Sequence, residues 1–370
     1  MAGEQLFDLT LTEEQRITRE NMRRFAQSEI RTIAKNADLD AALPAGFLKK
    51  AADLGLALMP IPEDVGGAGM PRSPVSNVLT AEDLAHGDFS IALAMLTPLG
   101  FVNTLVDQGS AAQQEKYLGQ LASEDFVPAT VALMEPRATF VPEKLQTTAV
   151  KQGSDYVLNG MKSMVIMGES AKFVLVVADA GAEGPQAFIV EQGAAGVSWQ
   201  KEEYMGLKAV EVSRMTLADV KVPASAKLGE GEKAFNLQRL VDLSRLGACA
   251  LAVGTCQAML DYVVPYVNDR VAFGEPISHR QAVAFMVANI AIELDGMRLL
   301  VWRAASRAEQ GLDFHKETYL ARVLCAEKAM EIGTNGVQLL GGHGFTREHP
   351  VEQWYRNLRS VGILEGAASV

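Results

Sequence analysis

Glu365 closes an apolar run, Val361, Gly362, Ile363 and Leu364, five residues before the chain ends at Val370. A carboxylate near a terminus is ordinarily a solvated charge. One held in apolar surroundings is instead a base strong enough to take a weakly acidic proton. A second group of reactive types lies in "DRVAFGEPISHRQ", which brings Arg270, Phe273, Gly274 and Gln281 within twelve residues. Ser278 and Gln281 have capping-box spacing, so Gln281 reads as a helix cap and Arg270 as a solvated helix end. The alternative is a guanidinium on a phosphate, beside a helix N-terminus that favours anions. In "VQLLGGHGF" one glycine is explained by a helix C-cap. Three in four residues, Gly341, Gly342 and Gly344, imply close backbone approach to something flat or anionic.

Other chemistries find little support. The five histidines are scattered, with no H-E-x-x-H, and no metal site is expected. Cys249, Cys256 and Cys325 fit neither a disulfide framework nor a C-x-x-C pair, and read as small buried thiols. A net charge of −11, from 34 basic and 45 acidic side chains, repels nucleic acid and anionic membrane surfaces. The opening "MAGEQLFDLT" does not read as a secretory signal. The most apolar stretch, Leu246 to Leu260, is broken by Gly, Thr and Gln, so a cytoplasmic protein is expected.

At 370 residues the chain is long enough for two or three cores, and three textures divide it. From Thr12 the period is helical, with capping boxes at Thr12/Gln15 and Ser110/Gln113 and a glycine-rich loop, "IPEDVGGAGMP", between them. From Phe126 to Glu232 at least six short β-type runs alternate with glycine turns. Among them Thr147 to Leu158 reads as a hairpin. The helical period then returns to the end in three long runs, Ala234 to Arg270, Gln281 to Gln310 and His315 to Leu340, with Pro265 expected to kink the first. The expected fold is α+β and multi-domain. It has a helical domain over 1–125, a β-barrel or sandwich domain over 126–232 and a helical bundle over 233–370.

The succession "LGLALMPIPEDVGGAG", "ALMEP", "YVLNGMKSMVIMG", "YMGLKA", "DVKVPASAKLGEGEKAF", "DRVAFGEPISHRQ", "VQLLGGHGF" and "LEGA" resembles acyl-CoA dehydrogenases, in the same order over essentially the whole chain. The resemblance implies an N-terminal helical domain, a middle β-domain and a C-terminal four-helix bundle. It also implies FAD between β-domain and bundle, completed by a neighbouring subunit in a homotetramer or smaller oligomer. The implied reaction converts an acyl-CoA thioester to the trans-2-enoyl-CoA, with electrons passing to an electron-transferring flavoprotein. Such a reaction needs a base at the α-carbon, a hydride acceptor at the β-carbon and stabilisation of the thioester oxygen.

By resemblance "LEGA" puts Glu365 at the position of the base, and its backbone N–H at the thioester oxygen. Some relatives carry the base on the bundle helix. Here that position is Ser244, which cannot serve. Asp242, Arg245 and Gly366 match positions at the acyl-CoA, although Arg245 is equally spaced for an ion pair with Asp242. Arg270, Phe273, Gln281, Gln338, Gly341 and Gly342 match positions holding the pyrophosphate and adenine half of FAD.

The isoalloxazine half departs from the family pattern. "TEPGAGSD" becomes "MEPRATFV", so that Met134 replaces a threonine, Arg137 a glycine and Phe140 a serine. "W-I-T-N-G" becomes Met164, Val165, Ile166, Met167, Gly168, and Ala367 and Ser369 follow the base. Each lost hydrogen bond is worth roughly 0.5–1.5 kcal/mol, so three or four weaken flavin binding about a hundredfold without abolishing it. Methionine packs well on a flavin face, and FAD remains the expected cofactor. Relatives usually continue beyond the point matching Val370, which implies a less firmly fastened base loop. Two other readings share the motifs: a degenerate, scaffold-like subunit pairing with an active paralogue, and a flavin oxidase.

Overall fold

The structure, a computed structural model, describes residues 10–229, 234–367 and 370. Ser369 and the expected boundary at Glu232 lie outside these. The chain opens with helices α1 (Glu13–Phe25), α2 (Arg31–Asp40), α3 (Phe47–Ala52), α4 (Pro74–Ala85) and α5 (Phe89–Gln108), then the short turns α6 (Ala111–Gln113) and α7 (Gly119–Leu121). Both expected capping boxes form, with Thr12 and Ser110 each accepting from the N3 backbone. Asp88 starts α5 by accepting from the Ser90 and Ile91 amides at 2.9 and 3.0 Å.

Helix α5 and the long bundle helix α8 (Leu237–Asp269) are long and apolar enough to cross a membrane, and both are largely buried inside the protein. The more apolar of the two is α5, not the Leu246–Leu260 stretch. Its apolar demand comes from packing on both sides: Leu93 and Leu96 face the helical core, while Phe101, Val102 and Leu105 pack on the sheet.

The middle of the chain is a curled mixed sheet of seven strands, in the order β1-β4-β2-β3-β7-β6 with β5 also on β4. These are β1 (Ala129–Ala132), β2 (Thr148–Gln152), β3 (Asp155–Ile166), β4 (Phe173–Asp179), β5 (Pro185–Glu191), β6 (Val197–Lys201) and β7 (Val212–Pro223). The expected hairpin forms as β2–β3, turning at Gly153 with φ +61°. Period-2 alternation sorts β4 between two cores. Phe173, Leu175 and Val177 face α5, and Val174 and Val176 face the interior with Leu158, Phe188 and Met215.

Helix α8 runs through Pro265 to Asp269. A two-stranded ribbon, β8 (Val271–Ala272) with β9 (Glu275–Pro276), then interrupts the helical texture, which the sequence pattern did not foresee. Helices α9 (Gln281–Glu309), α10 (His315–Leu340) and α11 (Val351–Leu358) complete the bundle. The expected capping box of Ser278 and Gln281 does not form. The helix starts two residues later than that box requires, with Arg280 as N-cap and Gln281 as its first residue. Cys249, Cys256 and Cys325 are buried free thiols.

Candidate active site

Glu365 is neither a tail charge nor a free base. Its carboxylate accepts from Arg245 Nε at 2.8 and 3.1 Å and from Arg245 Nη2 at 3.0 Å, a bidentate pair between side chains only 19% and 12% exposed. Arg322 adds a second guanidinium, donating to the Leu364 carbonyl at 3.0 Å and approaching Glu365 Oε1 at 3.5 Å. Burial works against the charge on Arg245, but the hydrogen bonds and charge of Glu365, with Asp242 behind it, hold its pKa above the ordinary value. Arg322 is not legible in the sequence pattern because its relation to Glu365 is purely spatial. The one hint is a charged residue next to the small buried positions Ala321 and Cys325 on α10.

The loop carrying Glu365 is fastened at three points. Leu364 is buried, the Gly366 amide donates to Ser244 Oγ at 2.9 Å, and Ser244 in turn donates to the Val241 carbonyl at 2.9 Å. Further on, the Val370 amide donates to the Leu243 carbonyl at 3.4 Å, and Arg72 donates to the Val370 carbonyl at 3.1 Å. Gly366 adopts φ +76°, and a Cβ there would lie 2.8 Å from that of Leu133. Ser244 thus anchors the loop that carries Glu365. Asp242 does not pair with Arg245. Its buried carboxylate accepts from Gln238 at 3.0 Å and faces His315 Nδ1 at 3.1 Å, and burial pushes its pKa up against the opposing effect of His315.

The close approach of Gly366 to Leu133 brings the Glu365 loop against the end of β1, where Met134 follows. Met134, Met164, Ile166 and Met167 are all buried, in one apolar cluster with Leu243, Leu364 and Ala367. The register of β3 against β7 shifts between Lys162 and Val165, and both Met164 (φ +52°) and Met167 (φ +54°) occupy the left-handed region, uncommon for unbranched side chains. Two carboxylates brace this segment. Glu202 accepts from the Met164 amide at 2.8 Å, from Ser163, from Tyr204 and from Arg214; these bonds outweigh burial and hold its pKa low.

Glu135 accepts from the Gln146 and Thr147 amides at 2.8 Å and from the fully buried Lys162 at 3.1 Å. Burial pulls the Lys162 ammonium down to about 8 despite Glu135, whereas the backbone donors and Lys162 hold Glu135 below the usual range against its own burial. Arg137 donates to the Val141 carbonyl at 3.1 Å and to that of Lys144, and lies over the Phe140 ring at 5.5 Å. The "RATF" residues therefore close their own loop.

A separate cavity of about 930 Å³ opens where α8, the β8–β9 ribbon, the start of α9 and the end of α10 converge. Arg270, Phe273, Gln338, Gly341 and Gly342 all line it, with Tyr266, Arg280 and His343. Gln281 is the first residue of α9, next to the lining residues Ala282 and Val283, and is not itself part of the wall. Phe273 stands at the ribbon tip with φ +57° and is 94% exposed, and the Arg280 guanidinium lies 5.7 Å from its ring centre. Gly341 has φ +57°, and neither it nor Gly342 has a neighbour within 4 Å of a would-be Cβ, so both offer bare backbone. The aromatic pair Tyr266 and His343 is joined by a 2.7 Å hydrogen bond. This cavity suits a phosphate-bearing, flat ligand. Its wall includes neither Met134, Ile166 nor Glu365.

Family models for the N-terminal, middle and C-terminal domains of acyl-CoA dehydrogenase match residues 12–125, 130–220 and 235–370. The chain is 32% identical over 368 residues to an acyl-CoA dehydrogenase of Bacillus subtilis (strain 168), covering 97% of this chain and 96% of that protein. It is 33% identical over 367 residues to the caffeyl-CoA reductase-Etf complex subunit CarC of Acetobacterium woodii, covering 97% and 96%. Its fold superposes on butyryl-CoA dehydrogenase from Megasphaera elsdenii with a TM-score of 0.89, at 29% identity and 97% and 96% coverage. The chain belongs to the acyl-CoA dehydrogenase family, FAD-dependent oxidoreductases acting on CH–CH groups.

The residues fit FAD unevenly. The 930 Å³ cavity offers Arg270, Gln338 and the bare backbone of Gly341 and Gly342 to the dinucleotide end. The ring end is left with methionine and isoleucine side chains, and the nearby Ser163 hydroxyl is committed to Glu202. A flavin ring placed there would be held by packing rather than by side-chain hydroxyl donors.

Proposed function

We propose that this chain catalyses α,β-dehydrogenation of an acyl-CoA thioester to the trans-2-enoyl-CoA, with Glu365 removing the α-proton. The observation that carries the reading is the position of Glu365. Its side chain is 12% exposed, on a loop fastened by Ser244 and packed through Gly366 against β1, and its neighbours Leu364 and Ala367 belong to the apolar cluster of Met134 and Ile166. Bound FAD supplies the hydride acceptor for the β-carbon.

The protein's own part is positional and electrostatic. Arg245 on both oxygens stabilises the carboxylate anion and weakens it as a base, so loosening of that pair on substrate binding raises its basicity. The apolar cluster then keeps water from the released carboxylate, which favours its acting as a base. Arg245, freed on one side, and the Gly366 turn face the thioester. Arg270, Phe273, Gln338, Gly341 and Gly342 hold the dinucleotide end of FAD. Met134 and Ile166 pack its ring. CarC is named as part of an Etf complex, and an electron-transferring flavoprotein is the acceptor this reading assigns. A cytoplasmic homo-oligomer, a dimer or homotetramer, in fatty acid or other lipid metabolism completes it.

A second reading, a scaffold-like subunit of a heteromer with a paralogue, is favoured by the absence of hydroxyl donors at Met134 and Ile166 together with the closed Arg245 pair. Anaerobic mixing of the FAD-loaded protein with acyl-CoAs separates the two. Flavin bleaching with release of an enoyl-CoA, identified by mass spectrometry, supports the enzyme. Failure to retain FAD, combined with tight association with a coexpressed homologue, supports the subunit.

A further inference from the structure

Two guanidiniums flank Glu365, from different helices and in different states of use. Arg245, on α8, spends Nε and Nη2 on the carboxylate at 2.8 to 3.1 Å. Arg322, on α10, spends Nη2 on the Leu364 carbonyl at 3.0 Å and stands 3.5 Å from Glu365 Oε1, outside the range of about 2.7–2.9 Å for a charge-assisted bond. Its Nη1 is buried and has no partner among the described residues. Thr318, one turn earlier on α10 and fully buried, does not supply one, since its own hydroxyl is unpartnered. A buried guanidinium N–H without an acceptor is costly, and the acceptor already beside the neighbouring nitrogen is Glu365 Oε1.

The two carboxylate oxygens are not equivalent. Oε1 accepts from Arg245 Nε and Nη2 and faces Arg322, whereas Oε2 accepts from Arg245 Nε alone. An approach of about 0.6–0.8 Å brings Oε1 to Arg322 at the length of a charge-assisted hydrogen bond. Arg322 also holds the Leu364 backbone, so its place beside the loop does not depend on the pair with α8. Ala321 and Cys325, fully buried on the same stretch of α10, fix the turn that carries it.

We infer that Arg322 is a second holder of Glu365: as the Arg245 pair loosens, Oε1 passes to Nη1 and Nη2 of Arg322, and Oε2 becomes the oxygen that takes the α-proton. The α-C–H bond breaks, its proton forms the O–H bond on Oε2, and its electron pair stays on the thioester as an enolate. Holding one oxygen keeps the other aimed at the α-carbon, which a freely rotating carboxylate would not be. Arg322 acts through Glu365 and is a positioning residue. The inference rests on the acyl-CoA dehydrogenase reading above and adds which oxygen reacts and what aims it.

Initial rates of α-deuterium incorporation in D₂O, at saturating acyl-CoA with FAD bound, read the base, and titration calorimetry of the same thioester reads binding. Arg322→Met should slow incorporation about tenfold with Kd within about twofold. Arg322→Lys, which keeps a cation and a donor, should restore the rate to within about threefold of wild type. A wild-type rate in Arg322→Met, a loss of binding equal to the loss of rate, or no recovery in Arg322→Lys overturns the inference and leaves the dehydrogenase reading in place. No incorporation by the wild type overturns both. A crystal structure of the FAD-loaded wild type with a 2,2-dimethylacyl-CoA, which has no α-proton to lose, needs no variant. Oε1 within about 3.0 Å of Arg322 and Oε2 clear of Arg245 supports the inference, and an unchanged bidentate pair with Arg245 contradicts it.

Discussion

Replacing Arg245 with methionine removes the guanidinium while keeping most of the apolar stem, so the change isolates the pair with Glu365. Three contacts of 2.8 to 3.1 Å are lost between side chains that are both more than four-fifths buried. Breaking a fully buried pair costs about 3–5 kcal/mol, but Arg322 remains at 3.5 Å and takes up part of the uncompensated charge. A loss of about 2 kcal/mol is expected, close to that of one charge-assisted hydrogen bond.

A chain of this size need not unfold in one step, so the effect is best read locally. The Leu364 amide is bonded to Ser360 and the Gly366 amide to Ser244, which makes both useful hydrogen-exchange probes of loop opening. In Arg245→Met these amides should exchange about thirtyfold faster, with protection in the sheet unchanged. Combined with Glu365→Gln, the cycle should return a coupling of about 2 kcal/mol. Unchanged exchange at both amides, or a coupling under about 0.5 kcal/mol, would show that the pair does not fasten the loop.

Ser244→Ala leaves the Gly366 amide without its acceptor and should lower kcat about tenfold with little change in KM. Rescue by Ser244→Thr is expected, and an unaltered kcat in Ser244→Ala contradicts the anchoring role. Glu135→Gln strands the fully buried Lys162 ammonium and should destabilise by about 3–5 kcal/mol. Lys162→Met leaves Glu135 its backbone donors and should cost about 1–2 kcal/mol. The folded Lys162 pKa of about 8 lies below the ordinary 10.5, so between these values the unfolded chain binds more protons and wild-type stability gains with rising pH. Urea midpoints from pH 8 to 10 should show that gain and its absence in Lys162→Met; the reverse order of the two variants contradicts it. Arg270→Ala should weaken FAD binding about tenfold to a hundredfold by fluorescence titration, and equal affinity would remove the 930 Å³ cavity from the cofactor site.

What the sequence reveals follows from how local the determining physics is. The capping boxes at Thr12 and Ser110 and the turn at Gly153 depend on neighbours three or four residues away, and they form as expected. The Ser278/Gln281 spacing is equally good, but the β8–β9 ribbon and the 3-10 turn after it delay the helix by two residues. That ribbon holds Phe273 at positive φ, which no propensity at a phenylalanine signals.

The long-range partners are the least legible. Arg245 and Asp242 are well spaced for a helix pair, yet Glu365, 120 residues on, takes Arg245, while His315 takes Asp242. The family motifs locate Glu365 and the glycines of the 930 Å³ cavity. They say nothing of Arg322 or of Ser244 as an anchor.

The proposed role of Glu365 is tested most directly by proton exchange, which needs no electron acceptor. The FAD-loaded protein is incubated anaerobically in D₂O with an acyl-CoA, and deuterium at the α-carbon is followed by mass spectrometry. Wild type should incorporate deuterium and Glu365→Gln should not, with FAD still bound to both. Incorporation at the wild-type rate in Glu365→Gln would contradict Glu365 as the base.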